Sequence, residues 1–121
     1  MRFLRPAPPV AVVAARLAAS GHRVIVVDGR RVVDKASALA AIGDAGSFPD
    51  WVGSNLDALA DALGDLSWLE AEEPVAIVWA SAGRIDLVDE RDRTGLLAVL
   101  ADAERDDGPV ASVTLLDGSA R

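Results

Sequence analysis

The chain has 121 residues, is 51% hydrophobic and 26% charged, and carries a formal net charge of −7. That length supports one domain with a core of its own, and the hydrophobic fraction excludes a disordered chain. With no cysteine, disulfides and thiolate chemistry are excluded, and one histidine without cysteine disfavours a zinc site; no segment approaches the roughly 20 apolar residues that a membrane-spanning helix needs.

The opening "MRFLRPAPPVAVVAARLAAS" imitates a signal peptide, but three prolines break it early and Arg16 interrupts it. Its unbroken apolar stretch Val10–Ala15 is shorter than the usual signal core of about 7–15 residues, so a reducing cytoplasm is the expected location. Residues 10–20 read as an alanine-rich helix stopped by Gly21, and "RVIVVDG" as a short buried strand ended by a turn. Helical spacing restarts over 34–42, with Asp34 as N-cap and Gly43 at the far end. A loop, "GDAGSFPDWVG", leads into a leucine- and aspartate-rich helix and then the acidic turn "EAEEP". "VAIVWA" is a second strand, residues 94–106 another amphipathic helix, and "PVASVTLLDG" a third strand. Strands alternating with helices predict an α/β fold, a three-stranded parallel sheet packed with helices.

Charge is spread unevenly along this chain. Residues 1–35 carry seven basic and two acidic side chains, residues 36–83 eight acids and no base, and residues 84–121 five bases and nine acids. The acidic middle repels a polyphosphate, which disfavours direct nucleic-acid binding, and attracts a basic partner.

Within "FPDWVGSNLDALADALGDLSWL", Ser54 or Asn55 caps the helix, and Ser54 with Asp57 fits a capping box. At about 100° per residue, Leu56, Leu59, Leu63 and Leu66 share one face and Asp57, Asp61 and Asp65 the other. An outward acidic face is an ordinary solvated surface. Two details favour more than that. Aspartate is a poor helix-interior residue, and like charges four apart destabilise by roughly 0.2–0.5 kcal/mol per pair, a cost that an interleaved lysine or arginine would have avoided. Trp51 also sits in the preceding loop of a chain that is only 4% aromatic, and an aromatic beside a charged patch is what binding hot spots contain.

These residues resemble the barstar family, the intracellular inhibitors of barnase-like ribonucleases. "FPDWVGSNLDALADAL" follows the family's hydrophobic–Pro–acid–aromatic–x–Gly–x–Asn–hydrophobic–Asp–Ala–Leu–x–Asp pattern. The resemblance implies a barstar-like domain over 24–121 with no cofactor or metal. Residues 1–23 have no counterpart in the shortest family members and read as a helical extension, which the three- and four-residue spacing of Val10, Val13 and Leu17 packs on the domain, with self-association as the alternative. The resemblance further implies that the acidic helix and preceding loop plug a nuclease active site in an immunity role. By position, Asp61 takes the place of the carboxylate that sits where an RNA phosphate would, and Asp57 is its companion toward basic groups at the rim. Trp51 matches the loop aromatic that covers the catalytic histidine. Asn55 and Gly64 match helix-end positions at the interface, and Asp102 falls where one more contacting acid is expected; Gly53, Leu56 and Asp65 complete the implied nuclease-binding set. Ala60 stands in place of a family tryptophan and Leu66 in place of another aromatic, so the contact surface is smaller there. Two rival readings remain open. An acidic module could bind a different basic protein, and Asp28 and Asp117 at strand ends suit a small magnesium-dependent α/β enzyme. Against the enzyme stand the lack of G-x-G-x-x-G and P-loop motifs and the presence of a single lysine, Lys35.

Overall fold

The computed structural model describes residues 1–117. In chain order the elements are β1 (Arg2–Leu4), α1 (Val10–Ala19), β2 (Arg23–Asp28), α2 (Lys35–Ala45), α3 (Leu56–Asp65), β3 (Val75–Ala80), α4 (Glu90–Ala103) and β4 (Val110–Leu116). Short 3-10 turns at Ser67–Leu69 and Ala82–Leu87 follow α3 and β3. The sheet is parallel throughout, in the order β1-β4-β3-β2. It has four strands and not the three expected. The extra strand, β1, is a three-residue segment ahead of the prolines, too short to show an alternation, and it forms because Arg2, Phe3 and Leu4 pair with Thr114, Leu115 and Leu116.

Crossover handedness explains the layers. The β2–β3 and β3–β4 connections step one way along the sheet, while β1–β2 runs the other way across its full width, so right-handed crossovers put α1 on one face and α2–α4 on the opposite face. The side chains divide accordingly. Ile25, Val27, Ile77, Trp79, Val113 and Leu115 join the main core with Ala38, Ile42, Leu59, Leu63, Leu96 and Leu100 from α2, α3 and α4. Val24, Val78 and Leu116, from alternate strand positions, pack with Val10, Val13 and Leu17 of α1 in a smaller cluster.

Strand β2 is an edge strand and only half covered: Ile25 and Val27 are buried, whereas Val26 is 42% exposed. An apolar run alone does not distinguish that position from the central β3, in which Val75 to Trp79 are all buried. The Asp34 N-cap forms as expected, its carboxylate accepting from Ser37 N–H at 2.8 Å while Ser37 Oγ accepts from the Asp34 N–H. Those bonds, the one from the Ser37 backbone N–H foremost, hold the Asp34 carboxyl below its usual pKa. The helix does not stop at Gly43 but runs one further half-turn to Ala45. A Cβ at Gly43 would lie 3.7 Å from the Phe48 ring, an ordinary contact, so packing does not demand glycine there even though it costs about 1 kcal/mol against alanine in a helix. Helix α4 starts at Glu90, four residues earlier than the spacing predicts, because Asp89 caps it and accepts from Arg91 N–H at 3.2 Å. Its polar first turn carries no apolar signal.

Candidate functional site

Asn55 is the cap of α3. Its backbone is extended (φ −141°, ψ 172°) and its Oδ1 accepts from Ala58 N–H at 2.7 Å. The Ser54–Asp57 capping box therefore does not form; the residue one place later supplies the bond. Asn55→Ala is expected to lower stability by about 1 kcal/mol, read as a shift in the urea midpoint at constant m-value.

Leu59, Ala62 and Leu63 fix the buried face of α3. Leu66 is buried as well, but as the residue that ends the helix in a left-handed turn (φ 50°). Leu56, at the first turn, is half-buried against α4, where a Cβ on Gly95 would come within 2.7 Å of its Cδ1. That close approach of α3 and α4 rolls the acidic face outward. Asp57, Asp61 and Asp65 are all exposed, and among the described residues none of the three is in an ion pair. Asp65 accepts from Ser67 Oγ at 3.0 Å. The three carboxylates thus form a ridge whose successive Cβ atoms are about 5–6 Å apart.

The loop beside the ridge is rigidly founded. Trp68 Nε1 donates to the Gly46 carbonyl at 2.9 Å, and the Trp68 ring stands edge-to-face between Phe48 (5.5 Å) and Trp51 (5.6 Å). Trp51 is held by this stack while remaining 72% exposed. Such edge-to-face pairs contribute about 0.5–1.5 kcal/mol each beyond area burial. Gly53 lets the loop come close to α3, since a Cβ there would be 3.3 Å from Ala58 Cβ.

Between the Trp51 loop and α3 lies an open cleft of about 350 Å³, with Ala58, Ala62, Val52 and Gly53 lining it and Trp51, Asp61 and Asp65 around it. An aromatic face and two carboxylates over small apolar residues are suited to a planar cation such as guanidinium, which pairs with carboxylates and stacks on indole. The structure therefore brings four of the singled-out residues together: Trp51, Gly53, Asp61 and Asp65. Asn55 and Asp57 stand at the start of the same helix, and Gly64 is exposed on it, with open space where a side chain would stand. Leu56 faces the α4 packing, and Asp102 is exposed on the last turns of α4; neither lines the cleft. Trp68 escaped the reading of the sequence. Its signal was available, because Phe48, Trp51 and Trp68 are three of the chain's five aromatic residues and lie close together in the chain.

The acids at the strand ends are engaged within the chain. Asp28 takes hydrogen bonds from Arg30 Nε at 3.0 and 3.1 Å and from its Nη2 at 2.8 Å, which hold its exposed carboxyl at about 2. Asp117 pairs with Arg5 Nε at 2.7 Å. Among the described residues no group of three or more histidine, aspartate or glutamate side chains is gathered as a metal site would require, and no helix is long and apolar enough to cross a membrane.

A family model described as "Barstar (barnase inhibitor)" matches residues 22–115, which spans β2 through β4 and includes the whole acidic ridge and its loop. No curated protein matches the chain. Among solved structures, that of the Aeropyrum pernix ORC2 protein in ADPNP–ADP complexes is similar, with a TM-score of 0.56 and 18% identity. The similarity covers 91% of this chain but only 29% of that one, and at such identity it speaks to the fold alone.

Proposed function

The chain belongs to the barstar family, and on that premise we propose that it is a cytoplasmic inhibitor of a barnase-like, basic secreted ribonuclease. The observation that carries the reading is the ridge Asp57–Asp61–Asp65, exposed and free of internal ion pairs among the described residues, set beside a braced Trp51. A ribonuclease holds RNA with cations directed at phosphates, and a rigid carboxylate row presents a similar charge pattern without a bond to cleave. In this reading Asp61 and Asp65 take the enzyme's guanidinium groups in the cleft, Asp57 meets cations at the rim, and Trp51 lies over the catalytic residues. The repulsion among the carboxylates in the free chain is relieved when those cations arrive.

Titration against a panel of purified basic secreted microbial ribonucleases, barnase included, tests the proposal through residual RNA cleavage. Stoichiometric loss of activity with at least one enzyme is expected; full activity across the panel at micromolar chain overturns it. The association rate is expected to fall by about tenfold or more as salt rises from low to several hundred millimolar, because steering between opposite charges is screened. A flat rate in stopped-flow mixing would count against the ridge as the docking element.

The ORC2 protein was solved in ADPNP–ADP complexes, but nucleotide binding is not carried over to this chain. Here the link from β1 to α1, Arg5–Pro9, contains neither glycine nor lysine; its three prolines have no N–H, and the Ala7 N–H is taken by the Asp117 carbonyl at 2.9 Å, so few donors are left of the kind a phosphate-cradling loop supplies. Asp28 and Asp117, the acids nearest the strand ends, are already bound by Arg30 and Arg5. These features weaken the enzyme reading. Binding to some other basic protein stays as the rival that the panel separates.

A further inference from the structure

The Trp51 loop has a second side. Facing α2, it borders an open groove of about 440 Å³ whose apolar lining comes from Leu39, Gly43, Phe48, Val52 and Leu59. Val52 and Gly53 line both this groove and the cleft on α3, so the two flank the same loop. Asp44 and Asp50 stand at its edge, both exposed, and among the described residues neither is in an ion pair. Lys35, the one base on the lining, has its ammonium 3.8 Å from Asp92. The groove thus combines an apolar trough with two carboxylates that no ion pair occupies and a lysine drawn toward Asp92, a combination that fits a long unbranched cationic side chain, its methylenes on the trough and its head at Asp44 and Asp50.

Gly43 supplies an independent argument. It sits inside α2, where glycine weakens the helix, and the neighbouring Phe48 ring leaves room for a methyl group. The fold does not ask for glycine there, but an open trough does, since any side chain at Gly43 would project over its lining.

We propose that this groove is a second docking subsite, which receives a lysine or arginine side chain from the surface of the same ribonuclease that engages the α3 ridge. The assignment rests on the inhibitor reading above and extends it from the α3 ridge to the α2 side of the Trp51 loop. It makes the α2 side of the loop a determinant of which ribonuclease is recognised, because a residue outside the catalytic centre differs freely among enzymes of one activity.

The test uses the full chain and the tightest-binding member of the ribonuclease panel, with Kd from calorimetry and Tm measured for every variant. The double variant Asp44→Asn/Asp50→Asn is expected to bind about tenfold more weakly with a shallower salt dependence. Gly43→Leu, which fills the trough, is expected to keep or raise Tm while weakening binding by a similar factor; should it fail to fold, Gly43→Ala replaces it, with Tm raised by about 2–6 °C and a smaller loss of affinity. Binding by the Asn double variant within about twofold of the parent overturns the assignment, as does tighter binding, which would mean an acidic partner group at Lys35. Asp61→Ala is measured alongside. If it loses binding while the groove variants keep theirs, the groove assignment alone falls; if no panel member binds the parent chain, the inhibitor reading falls with it.

Discussion

Asp61→Ala is expected to weaken inhibition by at least about 30-fold while leaving the fold as stable as the parent or more so. Both halves follow from its position. Asp61 is exposed in the middle of α3, has no internal ion pair among the described residues, and lies between two like charges four residues away. Removing it relieves two repulsions of about 0.2–0.5 kcal/mol each and replaces a poor helix former with the best one. In the complex the same carboxylate would be desolvated against cations, where truncation leaves those cations unpaired. Couplings for close charge pairs run from about 1.5 to 7 kcal/mol, a range that was itself measured on barnase with barstar and is borrowed here for a relative. A loss of affinity with a gain in Tm is the combined result; equal inhibition constants for variant and parent would remove Asp61 from the site.

Leu63→Ala is expected to do the reverse. Its side chain is 1% exposed within the main core, on the face of α3 that holds the ridge in place. Truncation to alanine removes buried methyl groups and leaves a cavity, at a cost of about 2–5 kcal/mol, which is a large share of a typical domain's stability of about 5–15 kcal/mol. The Tm should fall by about 10 °C or more. At a temperature where the variant remains folded, its inhibition should stay close to that of the parent, since Leu63 touches no part of the cleft. Inhibition lost in step with Asp61→Ala at low temperature would show that the ridge depends on more than a rigid backing.

Much of this architecture was legible because local chemistry and tertiary packing agree. The amphipathic spacing of α3, the Asp34 cap, the stop after α1 at Gly21 (φ 87°) and the central strand β3 all follow from patterns that packing merely reinforces. Legibility failed where partners lie far away in sequence. Strand β1 has no pattern of its own and exists through its pairing with β4, and the half-covered state of β2 depends on the order of strands in the sheet. The cap of α3 was narrowed to two residues, because Ser54 and Asn55 are both good caps, and backbone geometry chose Asn55, which leaves the Ser54–Asp57 capping box unformed. At the candidate site the charges were visible in the sequence, whereas the foundation beneath Trp51 was not. Trp68 reaches back to the Gly46 carbonyl across the whole of α3, a contact that no periodicity predicts.

The ladder joining Arg2–Leu4 to Thr114–Leu116 closes a loop that is nearly the whole chain in length. Closing roughly 100 residues costs about 2 kcal/mol more entropy than closing ten, and three paired residues return little against it. Besides the Arg5–Asp117 ion pair, that strand is held by α1, whose Val10, Val13 and Leu17 clamp it through Leu4 and Leu116 like a buckle on a strap, so that loosening the helix would weaken the hold on the sheet's outermost member while the acidic ridge on the far side stayed intact.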